Sequence, residues 1–496
     1  MNGPTSPPLL SKSKYMLGLQ CVKQLWIHYH QRELLPPVEP ATQAVFDQGH
    51  EVGAWAKHLF PGGIDLNGTV AIDAALALTE DALREGRPVF EAAIRHGRCL
   101  SRADILDPAG DGNWDLIEVK SSTMQKEEHL QDVAFQLRTC EGAGLRIRRC
   151  FLLLINTEYV RNGLIDPSAL FQKIDVTEEA RALLPAVALH VEEMLRVIAH
   201  EQCPEVRIGP HCQSPYHCPL QGHCWAFLPK PNIFDLRGGG KKAWTLFDAG
   251  VLRMEDIPAD FKLSGAQAIE ARCHRTGEPH VDVPGLRSFL AQLQYPLQFL
   301  DFETFQPAVP PFDRSRPYGQ IPFQFSLHVV PAQGAAPIHY AFLAEEATDP
   351  RPAFLAELRR RIGGEGSIVA YNTAFETGRL RECAEFFPDF QPWAGSLLPR
   401  FVDLFAPFRS GLYYHLAQHG SASLKAVLPV LTGTGYDALE IHDGGTASRE
   451  FLRVTFGNVP ADERARVRTA LERYCSQDTQ AMIDIVAALT GICGPR

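Results

Sequence analysis

Apolar positions between residues 10 and 30 recur every three to four residues, through Cys21, Leu25 and Trp26, behind two serines, Ser11 and Ser13. That spacing predicts a helix capped by one of the serines. Residues 46–60 predict a second amphipathic helix (Val45, Val52, Trp55, Ala56, Leu59), stopped by Pro61-Gly62-Gly63. The period then shortens. Phe90-Glu91 opens a helix or strand, and an apolar stretch ends at Asp104. A turn-forming run follows over 107–113, and residues 114–122 read as a strand with Glu118 and Lys120 on one face, because positions i and i+2 point the same way. In the next helix, His129, Asp132 and Gln136 share one face and Leu130, Val133, Ala134 and Leu137 the opposite one. Residues 150–160 are almost continuously apolar, as a buried strand requires.

A second set of elements begins after residues 229–285, where a Pro-rich lead-in and Gly238-Gly239-Gly240 predict a linker carrying short helices. Residues 297–305 form an apolar strand with Asp301 and Glu303 on one face, and 321–330 its antiparallel partner after a Pro-rich excursion. A strand ending at Asn372 runs into a helix starting near Thr373, with Glu376 in its first turn. Asp403 follows on a short apolar segment, and the helix over 471–489 places Tyr474 and Asp478 one turn apart.

The carboxylates carry the candidate chemistry. An acid pair on a buried strand is costly to desolvate without a compensating cation. Asp104 with Glu118 and Lys120 is what a metal-dependent phosphodiesterase needs: two carboxylates for a hard cation and an ammonium for developing negative charge. Asp301, Glu303, Glu376 and Asp478 supply four acids for two divalent ions, with Tyr474 beside them to position or deprotonate water.

Between the two sets lies a loop bearing Cys212, Cys218 and Cys224, with glycine, proline and polar residues in the gaps. Thiolates clustered in such a loop favour zinc or an iron–sulfur cluster. Three ligands are one short of four; the fourth is Cys21, Cys203 or a neighbouring histidine (His211, His217, His223). Length points to more than one core. Hydrophobic content of 45% and charged content of 21% are ordinary for a globular chain, and the net charge of −10 argues against nonspecific coating of nucleic acid. There is neither a secretory signal pattern nor an apolar run long enough for a membrane span, so the twelve cysteines read as reduced thiols and metal ligands in a cytoplasmic protein.

The first half, over roughly residues 10 to 228, resembles the RecB-like branch of the PD-(D/E)XK nucleases, especially the CRISPR-associated nucleases that carry an iron–sulfur cluster. Glu91, Asp104, Glu118-Val119-Lys120 and Gln136 carry the resemblance, with one cysteine before the core and three after it. It implies that Cys21, Cys212, Cys218 and Cys224 hold a [4Fe–4S] cluster. This chain departs from that pattern in the even spacing of its downstream cysteines. It also has Cys140 where the helix motif has tyrosine, and His50 three residues before Gly53, the position of an early metal-binding histidine. The second half resembles the tyrosine-bearing subgroup of DEDD exonucleases through Asp301/Glu303, the Asn372–Glu376 segment and Tyr474/Asp478; Glu376 stands where that family has aspartate. Both halves in this order also resemble an uncharacterised bacterial family joining the two domain types.

The expected fold is α/β: a PD-(D/E)XK nuclease core over 1–228 closed by the cysteines, a linker over 229–285, and an RNase H-like exonuclease domain over 286–496. The expected function is metal-dependent hydrolysis of DNA with Mg²⁺ or Mn²⁺ as the catalytic ion and no membrane partner. The metal ligands would be Asp104 and Glu118 in the first half and Asp301, Glu303, Glu376 and Asp478 in the second. The alternative is a nucleic-acid-binding or defence scaffold with one degenerate nuclease half and a structural zinc site.

Overall fold

In the computed structural model, which describes residues 8–69 and 71–494, the chain is a mixed α/β protein of two compact units. The first comprises residues up to Phe227 together with Pro307–Gly319; the second comprises Leu228–Gln306 and Gln320 onward.

The first unit is built on a seven-stranded sheet of β1 (Leu10–Ser11), β2 (Ile64–Asp65), β3 (Val89–His96), β4 (Cys99–Gly110), β5 (Asn113–Lys120), β6 (Arg146–Ile155) and β7 (Phe171–Asp175). Six strands follow in the order β2–β3–β4–β5–β6–β7, while β1 pairs in parallel with the start of β4, through Leu10 opposite Cys99. β5 engages β4 only from Ile105 onward, so β1 lies beside the part of β4 that β5 leaves uncovered. β5 and β6 run parallel, joined by the crossover helix that carries Asp132 and Gln136.

The helix expected over 10–30 divides into α1 (Lys12–Gln20) and α2 (Val22–His30), with Cys21 in extended conformation between them. Ser11 caps α1, its hydroxyl accepting from Lys14 N–H. α3 (Pro40–Lys57) starts earlier than expected and buries only Val52 and Ala56; Val45 is 63% exposed, so it is not part of the packed face. α4 (Glu127–Gly142) and α5 (Thr177–Ala199) cover the sheet, with Val133, Ala134, Leu137, Val187 and Val191 in the main core. The Pro-rich excursion also belongs to this unit. Ala308 and Val309 pack with Val52, Phe90 and Tyr159, and Arg161 Nη1 donates to the carbonyls of Pro310 and Pro311.

The second unit holds a five-stranded sheet of β8 (Leu297–Phe305), β9 (Ile321–Val330), β10 (Ile338–Leu343), β11 (Ile368–Ala370) and β12 (Phe401–Asp403), in the order β10–β9–β8–β11–β12. β8, β9 and β10 are antiparallel neighbours, whereas β11 runs parallel to β8 and β12 parallel to β11. Residues 229–285 are not a free linker: they fold with this unit as α6 (Gly240–Asp248) and α7 (Gly265–Thr276). Arg237 pairs with buried Glu270 and donates to the carbonyls of Phe408 and Gly420. A Cβ on Gly420 would lie 1.7 Å from the Asp235 carbonyl oxygen, a contact only glycine permits. α8 (Arg351–Arg361) and α9 (Ala374–Phe386) bury Phe354, Leu355, Leu380 and Cys383 against Leu300 and Phe325. The long α10 (Ala461–Cys493) is fastened to β9, where Gln324 Nε2 donates to the Leu471 carbonyl and the Ser326 and Thr479 hydroxyls meet at 2.7 Å.

Candidate active sites

The first site forms where β4 and β5 meet the crossover helix. Alternation on β5 puts Glu118 and Lys120 on the face covered by α4, which returns Asp132 and Gln136 to the same place. Gln136 Nε2 donates to Glu118 Oε2 (2.6 Å) and to Asp132 Oδ1 (3.0 Å); its own Oε1 is buried without a partner. Lys120 Nζ donates to Glu118 Oε1 at 2.7 Å and Asp132 Oδ2 at 2.5 Å. Asp104, on β4, accepts from Val119 N–H at 2.8 Å, which holds its carboxylate beside β5. The stripe His129–Asp132–Gln136 is therefore a buried, site-facing stripe.

Sequence reasoning missed Lys12. The pairing of β1 with β4 delivers the first residue of α1 into this site. Its Nζ lies 2.9 Å from Glu118 Oε1 and 3.8 Å from both Asp104 Oδ1 and Asp132 Oδ1. Three carboxylates thus face two ammonium groups. Burial and the neighbouring Glu118 charge push Asp104 upward. Burial acts the same way on Glu118, but the two lysines and their hydrogen bonds outweigh it and hold Glu118 low. Burial works against both lysines, yet the surrounding carboxylates keep them firmly protonated. Glu91 lies at the register position across from Asp104, between the pairs Phe90–Ile105 and Ala92–Ala103, with a left-handed φ of 58°. Among the described residues, no hydrogen bond joins it to the rest of this site. His50 is exposed on α3, outside the cluster. His129 on α4 is buried with Nδ1 unpartnered, and burial followed by the Lys120 charge lowers it to about 4, so it is neutral.

The four cysteines come together at the far end of α1. Cys21, Cys212, Cys218 and Cys224 line one pocket. His211 also lines it, its Nε2 3.8 Å from Cys212 Sγ, whereas Cys203 does not. Gln20 Nε2 ties α1 to this loop through the carbonyls of His211 and Tyr216. Burial and the neighbouring thiols push Cys218 up to about 11 and raise Cys21 also. Without a bound cation these thiols stay protonated.

The second site lies on β8 beneath α10. Asp301 and Glu303 share a face of the strand, and Asp478 meets them from the helix. Among the described residues these three form the set whose carboxylate oxygens all lie within 4.8 Å of one another. Burial, then mutual repulsion, pushes Asp301 and Glu303 well above the ordinary carboxylate range. Burial raises Asp478 also, opposed by the Tyr436 hydroxyl, which donates to Asp478 Oδ1 at 2.5 Å. Tyr474 accepts from Lys425 Nζ at 3.1 Å. Burial and the nearby charges of Asp478, Glu303 and Asp301 hold its phenol far above the usual value. The Tyr474 hydroxyl lies among these carboxylates, where it can orient a water. Cys475, fully buried, points its Sγ at Asp301 Oδ2, 3.5 Å away.

Glu376 is buried in the first turn of α9, with Oε2 unpartnered, and lies outside the three-carboxylate set. Burial and then the Asp403 charge push it up to about 8. Asp403 instead serves the strand–helix junction: its Oδ1 accepts from Asn372 N–H and Phe405 N–H, fixing Asn372 at a left-handed φ of 74°. Tyr436 and Lys425 were not found from sequence; each reaches the site through tertiary placement.

Donor sets of this kind fit hard divalent cations, which take carboxylate oxygens. Buried acids held close together have two stable states, protonated or paired with a cation.

Residues 298–423 match the profile of a domain of unknown function (DUF2779). That span includes Asp301, Glu303, Glu376 and Asp403 and ends before Tyr474 and Asp478. An uncharacterized Mycoplasma pneumoniae protein, the MG366 homolog, is 28% identical over 208 residues, which cover 38% of this chain and 31% of that relative's own length. The crystal structure of SSO0001 aligns with 46% of this chain and 90% of its own at 14% identity and a TM-score of 0.24, a superposition too loose to carry an argument. Among the described residues no helix is long and apolar enough to cross a membrane.

Proposed function

We propose that this chain is a metal-dependent nuclease that hydrolyses DNA phosphodiester bonds at two separate centres. The observation that carries the reading is the set of three carboxylates, half-buried Asp301 with buried Glu303 and Asp478, with their oxygens within 4.8 Å of one another. Like charges that close are retained where a cation joins them. Asp301, Glu303 and Asp478 would hold Mg²⁺ or Mn²⁺ in the second unit, with Glu376 entering from α9; Asp104 and Glu118 would do so in the first. Bound divalent ions supply charge neutralisation and an activated water. In the first unit Lys120 stands ready to stabilise charge developing on a scissile phosphate, and Gln136 fixes the rotamer of Glu118. In the second, the Tyr474 hydroxyl orients water, with Lys425 holding the phenol in place.

Cys21, Cys212, Cys218 and Cys224 are assigned to a [4Fe–4S] cluster. That all four line one pocket supports a shared metal–thiolate centre, and the choice of an iron–sulfur cluster follows the family resemblance. Iron and sulfide analysis of anaerobically purified protein tests the assignment; colourless protein with stoichiometric zinc would refute it. For the hydrolytic reading, Asp104→Ala and Asp301→Ala should each remove a different Mn²⁺-dependent activity on single-stranded DNA. If neither substitution changes cleavage, the assignment of both centres is wrong.

A further inference from the structure

The position of Lys12 has a consequence for metal binding at the first centre. An ammonium 2.9 Å from Glu118 and 3.8 Å from Asp104 and Asp132 sits among three carboxylates, two of which, Asp104 and Glu118, are read here as metal ligands. A hard divalent ion of Mg²⁺ or Mn²⁺ size contacts such oxygens at about 2.1 Å. An ammonium and a divalent ion a few ångströms apart repel strongly in a part-buried site, so the two cannot share it. Lys120 shares Glu118 Oε1 with Lys12 and also pairs with Asp132, but among the described residues it makes no ion pair with Asp104, so Lys12 alone bridges all three acids.

Lys12 is carried by a fixed backbone and has only its side chain free to move. Its helix is locked at the start by β1 and the Ser11 cap, in the middle by Tyr15, and at the end by Gln20. Tyr15 stacks on Phe135 at 4.6 Å and donates to Gln131, both on the helix that carries Asp132. α1 ends at Cys21, nine residues and about 13 Å from Lys12 at the helical rise. One rigid helix therefore joins the cysteine pocket to the carboxylates.

We propose that Lys12 is a built-in counter-ion of the first centre, which occupies the cation position in the metal-free protein and must swing out when a divalent ion enters. Lys12 thereby sets the affinity of that centre for metal, keeping it weaker than three buried carboxylates would otherwise give. This rests on the reading of Asp104 and Glu118 as metal ligands.

The test measures Mn²⁺ binding by electron paramagnetic resonance, on full-length protein carrying Asp301→Asn so that the second centre is silenced. Adding Lys12→Met should tighten Mn²⁺ binding by about tenfold or more, and Lys12→Arg should leave it near the parent value. Because Lys12→Met removes a charge from a buried cluster and can compromise folding, a second measurement uses the chain with Lys12 in place. Amine labelling read by mass spectrometry should show Lys12 modified faster when Mn²⁺ is added, with Lys241, exposed on α6, as the internal reference. Binding that depends on Asp104 but is unchanged or weaker in Lys12→Met, or a Lys12 labelling rate indifferent to Mn²⁺, would overturn the counter-ion proposal alone. Absence of Asp104-dependent binding both with Lys12 in place and in the Lys12→Met variant would overturn the metal-ligand reading along with it.

Discussion

Substitution of Glu376 by glutamine should reverse the sign of its effect on stability between pH 5 and pH 8. The carboxyl is buried and close to Asp403, and its proton is held up to about 8 against an ordinary value of 4.5. A carboxyl whose folded-state value is raised stabilises the fold below its unfolded value, and that stabilisation is lost as pH rises towards the folded value. At 1.36 kcal/mol per tenfold, this one group costs the metal-free protein roughly 3 to 4 kcal/mol between pH 5 and pH 8. Glutamine does not titrate, so the variant escapes that loss. It carries its own penalty: Glu376 Oε2 has no partner, and an amide NH₂ placed there leaves two donors unpaired where the protonated carboxyl leaves one; the further unpaired buried donor costs about 1–3 kcal/mol. Glu376→Gln should therefore be less stable than the parent at pH 5 and more stable at pH 8. Denaturant unfolding in EDTA, followed by a probe in the second unit at both pH values, reads the difference directly. The same stability difference at both pH values would show that Glu376 is not held protonated, and would refute the burial argument.

Two further outcomes follow from the same geometry. Cys212→Ser should lose the visible absorption and most of the bound iron, because Cys212 is buried in the pocket with the other three thiols; retention of a full iron complement would remove it from the ligand set. Tyr436→Phe removes the hydroxyl that holds Asp478 down, so the acidic limb of the pH–rate profile for the second activity should move upward; an unshifted limb would separate Tyr436 from catalysis.

Legibility in the sequence followed the range of the interactions. Asp301 and Glu303 were readable because two residues on one strand share a face, and Tyr474 and Asp478 because four residues make a helical turn. Glu118 with Lys120 was readable for the first reason, and the strand–helix junction at Asn372 from its change of period. The parts that eluded the pattern are those set by tertiary placement. Lys12 enters the first site through a two-residue parallel pairing with a distant strand, and nothing near Lys12 signals it. Asp132 lies on a polar stripe that looks like any solvated helix face until the sheet is placed beneath it. Residues 229–285 carry the glycine run of a linker, yet Arg237 and the backbone approach at Gly420 pack them into the second unit. The close contact is made by Gly420, whereas the run at 238–240 lies where α6 begins.

The most direct test of two metal-dependent centres is the cleavage of end-labelled single-stranded DNA by the full-length chain with and without Mn²⁺, beside the double variant Asp104→Asn/Asp301→Asn. The account predicts Mn²⁺-dependent hydrolysis by the parent, abolished by EDTA and absent from the double variant. Cleavage by the double variant at the parent rate, or no cleavage by the parent in Mn²⁺, would contradict it.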